Sequence, residues 1–177
     1  MPEKNSIQYL LKAIEDEEYK LPEFQRGYVW TSRQVKEYLN SLYRGYPTGS
    51  FLIWKTPKVQ KTRGGNKNTD NKFYNLILDG QQRLTSLYAL FKGVPPSFYE
   101  GEKLYFNLYF NLDTEEFVYY MEKRMKGKME WVPVTEFFKH DSAGEFIEKT
   151  LSLEAKEYYI NNLTRKVKRC QEPFIVI

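Results

Sequence analysis

Two short stretches carry residue types that could do chemistry. One is Asp79-Gly80-Gln81-Gln82-Arg83; the other is Gln25-Arg26, flanked by Phe24, Tyr28 and Trp30. Gly80 permits a sharp turn and a close approach to the backbone. Before the turn, Phe73-Tyr74-Asn75-Leu76-Ile77-Leu78 reads as a strand buried on both faces. After it, Leu84, Leu87, Tyr88 and Phe91 keep the i, i+3, i+4, i+7 spacing of an amphipathic helix. The first N–H groups of such a helix have no partner within it and can bind an anion. A cation such as Arg83 is disfavoured in that first turn unless a phosphate or a carboxylate sits beside it. Two readings of the turn stay open: it holds an anion, or Asp79 caps the helix while Arg83 pairs with an acidic neighbour. Gln25-Arg26 divides the same way, between satisfying buried backbone groups and pointing into a cleft.

The elements that must position these residues are legible in order. Ile7, Leu10, Leu11 and Ile14 predict a helix with Ser6 as N-cap. Pro22 and Gly27 make residues 19–30 extended and turned. Thr31 and Gln34 form a capping box for a helix striped by Val35, Tyr38, Leu39 and Leu42, with Gly45 at its C′ position. Residues 50–55 read as a strand. Residues 56–72 have no apolar period and are rich in Lys, Asn and Gly, predicting a long basic loop between two strands. Beyond the central helix, which Gly93 and Pro95-Pro96 end, residues 103–110 and 116–120 predict an antiparallel strand pair. A basic cluster follows at Lys123, Arg124, Lys126 and Lys128, then an extended 131–134 and a brief helix capped by Thr135 and running to His140. A helix is expected over 152–170, then a terminal apolar strand. A strand in that place suggests a domain edge, so residues 1–177 are expected to be a single domain, the N-terminal part of a longer protein.

Composition narrows the classes. The 177 residues suit one domain, with 41% hydrophobic and 28% charged residues. The formal charge of +4 permits contact with nucleic acid or nucleotide without requiring it. One cysteine, Cys170, excludes an internal disulfide, and a lone histidine, His140, argues against a metal site or a histidine-dependent nuclease. There is no signal-peptide pattern and no apolar run of ~18 residues, so no membrane partner is expected and the cytoplasm is the expected location.

The stretch Leu21-Pro22-Glu23-Phe24-Gln25-Arg26-Gly27-Tyr28-Val29-Trp30, a helix, a strand and then Leu78-Asp79-Gly80-Gln81-Gln82-Arg83-Leu84-Thr85 together resemble the N-terminal domain of GmrSD-type restriction systems. That family is related to ParB proteins and sulfiredoxins, which share the order of an extended Gln/Arg segment, a helix, two strands and a Gly-x-x-Arg turn opening a helix. The resemblance implies an α+β fold with a ParB/sulfiredoxin-like mixed sheet and flanking helices. It also implies a nucleotide site at Gln25, Arg26, Asp79, Gly80, Gln81, Gln82, Arg83 and Thr85, taking a nucleoside triphosphate with magnesium. Catalytic roles would fall to Asp79, Gln82 and Arg83, with Asp79 as cap or magnesium ligand and Arg26 stabilising added charge. Whether the nucleotide is hydrolysed is left open. The implied setting is a regulatory domain of a modification-dependent anti-phage system, with a nuclease domain or subunit as partner and a homo-oligomer allowed.

The departures matter too. Gln81 and Gln82 stand where sulfiredoxins place a cysteine, so redox chemistry is not expected. A ParB-type DNA-binding helix-turn-helix is not expected to find room in this length, and the single histidine argues that the His-Asn-His-type nuclease domain of GmrSD-type proteins is absent from it. Family members continue with a segment containing Arg, Asn and Gly that returns to the site, so only part of an active site is expected here. The alternative is a non-catalytic DNA- or protein-binding module, touching nucleic acid through Lys58, Lys61, Arg63 and Lys67.

Overall fold

The computed structural model describes residues 4–57, 62–63, 73–101, 104–140, 143–152, 155–156 and 174–176. Strand β1 (Lys4–Ser6) runs into helix α1 (Ile7–Glu15), whose N-cap Ser6 accepts from the Tyr9 N–H. Then come β2 (Tyr19–Lys20), α2 (Ser32–Tyr43), β3 (Leu52–Thr56), β4 (Tyr74–Asp79) and α3 (Gln81–Lys92). Strands β5 (Leu108–Asn111) and β6 (Phe117–Tyr119), helix α4 (Glu122–Met125), strand β7 (Trp131–Pro133), a 3-10 helix (Val134–Phe138), helix α5 (Ala143–Thr150) and strand β8 (Phe174–Val176) follow.

The fold is α+β, and the strands among the described residues divide into three small sheets rather than one. Central β4 pairs in parallel with β2 and antiparallel with β3. Strand β5 is flanked by β6 and β7, both antiparallel. Strands β1 and β8 form an antiparallel pair. The central strand is covered on both faces: Leu76 and Ile77 have no exposed surface, and Ile77 shares one buried cluster with residues of α1, α2 and α3. The register of β3 on β4 shifts between Leu52 and Ile53, opposite Asp79, so the mixed sheet is irregular where the chain turns.

The capping box of α2 forms as its sequence predicts: Thr31 accepts from the Gln34 N–H, and Gln34 accepts from the Thr31 N–H at 2.9 Å. Helix α3 is buried nearly all round rather than on one stripe. Its polar residues tolerate this because they find partners, as Ser86 Oγ does with the Gln82 carbonyl at 2.7 Å and the Tyr28 hydroxyl at 2.7 Å. Leu84, Leu87 and Leu90 share one core with α1 and α2. That core continues through Tyr43, Phe110, Phe117, Phe137 and Phe146 into the second half of the chain.

Several expectations shift. The strand expected over 103–110 is confined to its last residues and begins at Leu108. The brief helix near Thr135 is a 3-10 turn that starts a residue earlier behind Pro133, with no side-chain cap, so Thr135 does not cap it. The 152–170 helix lies outside the described residues from 157 on; residues 155 and 156 are helical. Strand β8 pairs with β1, a strand that has no sequence signal of its own because three residues are too few to show a period.

Candidate anion-binding cleft

The sharp turn between β4 and α3 depends on Gly80. It holds φ +96°, in the left-handed region, and a Cβ there would meet the Phe51 ring at 2.4 Å. Gly80 is the N-cap of α3 and offers no side chain, so the first-turn N–H groups of residues 81–83 stay unpaired within the helix. Asp79 therefore does not cap the helix.

Facing this turn is the segment ending in Gln25-Arg26. The two meet across a cleft of about 190 Å³, with Gln25, Arg26 and Trp30 on one wall and residues 78–83 on the other. The expected facing of Gln25-Arg26 and the turn is thus found. Thr85 sits a turn inside α3, is 1% exposed and does not line the cleft. Lys58, Lys61 and Lys67 lie outside the described residues. Arg63 is described, and its guanidinium is turned inward: it donates to the Gln25 carbonyl and lies 3.3 Å from Glu100. His140 is 3.0 Å from the Thr150 hydroxyl and takes no part in the cleft lining.

Within the cleft the structure separates groups already engaged from groups that are free. Arg83 is engaged. It donates to the Thr48 carbonyl at 2.7 Å, the Ser50 carbonyl at 2.7 Å and the Asp79 carboxylate at 3.0 Å, with its guanidinium over the Phe51 ring. Asp79 and two carbonyls offset the dipole's objection to a cation here. Gln82 is engaged as well. Its Oε1 accepts from the Val29 N–H at 2.7 Å and the Trp30 N–H at 3.2 Å, and its Nε2 donates to the Gly27 carbonyl at 3.0 Å. That amide clamps the aromatic segment to α3. Gln25 donates to the Leu78 carbonyl at 3.0 Å, tying the segment to β4.

The side chains of Arg26 and Gln81 have no hydrogen-bond or ion-pair partner among the described residues, and both residues line the cleft. Arg26 is exposed. Asp79 is 72% exposed and meets Arg83 through one oxygen. Two cations and one carboxylate thus surround an opening at a helix N-terminus, an arrangement that favours an anion. Magnesium commonly binds through one or two carboxylates plus substrate phosphates, and Asp79 suits that role. No cluster of three or more acidic, His or Cys residues among the described residues could hold a metal by itself.

Sequence reasoning missed the residues that set Arg83: the Thr48 and Ser50 carbonyls and the Phe51 ring. Nothing local marks a main-chain carbonyl as an arginine acceptor 33 or 35 residues distant.

The fold order and the paired motifs agree with a comparison across protein families. Residues 7–176 match the GmrSD restriction endonuclease, N-terminal domain, and the chain belongs to that family. It is also 39% identical over 99 residues to an uncharacterized protein of Methanocaldococcus jannaschii, a match covering 50% of this chain and 17% of that protein. The chain is thus similar to a small part of a much longer relative. No helix among the described residues is long and apolar enough to cross a membrane.

Proposed function

We propose that this chain is a nucleoside-triphosphate-binding regulatory domain of a restriction system. The observation that carries the reading is the unpartnered Arg26 guanidinium facing the open N-terminus of α3 across the cleft. At about 190 Å³ the cleft is smaller than the ~300–1,000 Å³ of drug-sized ligand sites. It suits the phosphates of a nucleotide, with ribose and base extending outside. Arg26, Gln81 and the N–H groups of residues 81–83 contact phosphate oxygens, and Asp79 takes the accompanying magnesium. In this reading Gln82 and Arg83, expected as catalytic, shape the walls through their bonds to residues 27–30, 48, 50 and 79. Hydrolysis extends the same reading: Gln81 orients water and Arg26 stabilises charge developing on the phosphoryl group. DNA cleavage is assigned to a nuclease domain or subunit beyond this one, which nucleotide occupancy here regulates.

Calorimetric titration with GTP, ATP, CTP and UTP in magnesium, on the unaltered protein and on Arg26→Ala, tests the site. Loss of a charge-assisted contact is expected to weaken binding about tenfold or more. Binding indifferent to Arg26→Ala, or no binding of any of the four, overturns the reading. Phosphate release measured on the same samples decides hydrolysis.

A further inference from the structure

Arg63 belongs in sequence to the basic stretch between β3 and β4, yet its side chain is only 13% exposed. The chain around it is pinned to the segment leading into the cleft. The Arg63 N–H donates to the Leu21 carbonyl at 3.0 Å, and Thr62 forms an antiparallel bridge with Pro22. The guanidinium then reaches past these residues to the Gln25 carbonyl, with the Glu100 carboxylate as counter-ion.

Gln25 is thereby held at both ends. Its side chain donates to the Leu78 carbonyl at the end of β4, and its own carbonyl accepts from Arg63. A peptide unit is planar, so fixing the Gln25 carbonyl also fixes the N–H of Arg26 and the direction in which that residue leaves the wall. The Arg26 side chain cannot orient itself through polar contacts of its own, because it has no hydrogen bond or ion pair among the described residues. The space Arg63 shares with Lys20 measures about 10 Å³, room for a single water at most, so this arginine does not serve a ligand site of its own.

We infer that Arg63 is a positioning residue for the anion cleft: by gripping the Gln25 carbonyl it aims Arg26 across the opening toward the N-terminus of α3. This rests on the phosphate reading of the cleft. The counter-ion has a part in it. Glu100 is exposed and pairs with the second guanidinium nitrogen while the first donates to Gln25, so removing its charge loosens the grip without disturbing the core.

The test combines a double-mutant cycle with NMR. Arg63→Met is expected to weaken magnesium–nucleotide binding about tenfold, and the Arg26→Ala/Arg63→Met protein is expected to bind no more weakly than Arg26→Ala alone. Arg63→Lys, which keeps one donor for the Gln25 carbonyl, is expected to recover most of the loss, and Glu100→Gln to show a smaller loss. Full additivity of the two substitutions, or unchanged affinity in folded Arg63→Met, overturns the inference and leaves the phosphate site standing. If the unaltered protein binds no nucleotide, the phosphate reading fails, and the ligand-free protein still decides the positioning role. In Arg63→Met and in Glu100→Gln the amide and Nε–H resonances of Arg26 are expected to shift and lose order while those of α2 stay in place. Unchanged Arg26 resonances in both variants overturn it.

Discussion

At the scale of single residues, Gln82 and Arg26 divide the labour of the cleft. All three hydrogen bonds of the Gln82 amide go to main-chain groups of residues 27–30. Removing it leaves two N–H groups and a carbonyl to find water in a half-buried place. Gln82→Ala is therefore expected to destabilise the protein by roughly 2–4 kcal/mol. Urea unfolding measures this, and a change under about 0.5 kcal/mol would refute the clamp. Arg26→Ala, at an exposed side chain, is expected to leave the urea midpoint in place and affect only binding. The expectation that Gln82 and Arg83 act directly on a substrate came from the family resemblance. In the structure the Gln82 amide bonds main-chain groups, and the Arg83 guanidinium bonds two carbonyls and the Asp79 carboxylate.

At the scale of elements, the strand–turn–helix of β4 and α3 is held by Gly80. A side chain there suffers twice, from the left-handed φ and from contact with the Phe51 ring. Gly80→Ala is expected to cost at least about 2 kcal/mol, adding the strain of a left-handed alanine to displacement of Phe51. Phe51 in turn lies under the Arg83 guanidinium, so the substitution should also disturb the cleft. Gly93 ends α3 at φ +71°, with its nearest Cβ contact an ordinary 3.8 Å from Thr135. Gly93→Ala is the control, expected to cost only about 1 kcal/mol. Equal thermal shifts for the two variants would mean that φ alone matters and that Phe51 yields freely. The helix starts were legible because caps are local: Ser6 and Thr31 bond within their own first turns. The strand limits were not. Residues 104–107 have strand composition, but among the described residues they acquire no ladder, and composition cannot supply a partner.

At the scale of the whole molecule, many of the aromatics serve the core. Tyr43, Phe110, Phe117, Phe137 and Phe146 form a continuous chain of ring contacts from α2 through the antiparallel sheet to α5. Tyrosines buried in this way have a pH consequence. Burial pushes the Tyr28 phenol up to about 12, and burial raises Tyr38 and Tyr119 as well. An unfolded chain releases these protons near pH 10, whereas the folded protein retains them. Between those values the folded state binds more protons, so stability falls as pH rises. The stabilisation is complete below about pH 10 and is lost as pH climbs through about 12. Urea midpoints should therefore hold steady up to about pH 9 and drop above about pH 10, less steeply in Tyr28→Phe. A midpoint that stays flat past about pH 11 would show that these phenols ionise freely.

The sequence by itself determined the turn, the caps of α1 and α2, the central strand and helix, and the family, because each rests on residues close together in the chain. It also predicted that Gln25-Arg26 would face Asp79–Arg83, through a matching order of elements. Only the tertiary structure decided which of two arginines is free. Arg83 sits in the motif and looked like the anion ligand, but the loop entering β3 brings two carbonyls to it. Arg26 meets no such acceptors among the described residues and keeps its donors for the cleft. A guanidinium has the same five donors wherever it stands. What it can bind depends on which carbonyls the fold carries to it, and those come from parts of the chain that no local pattern connects.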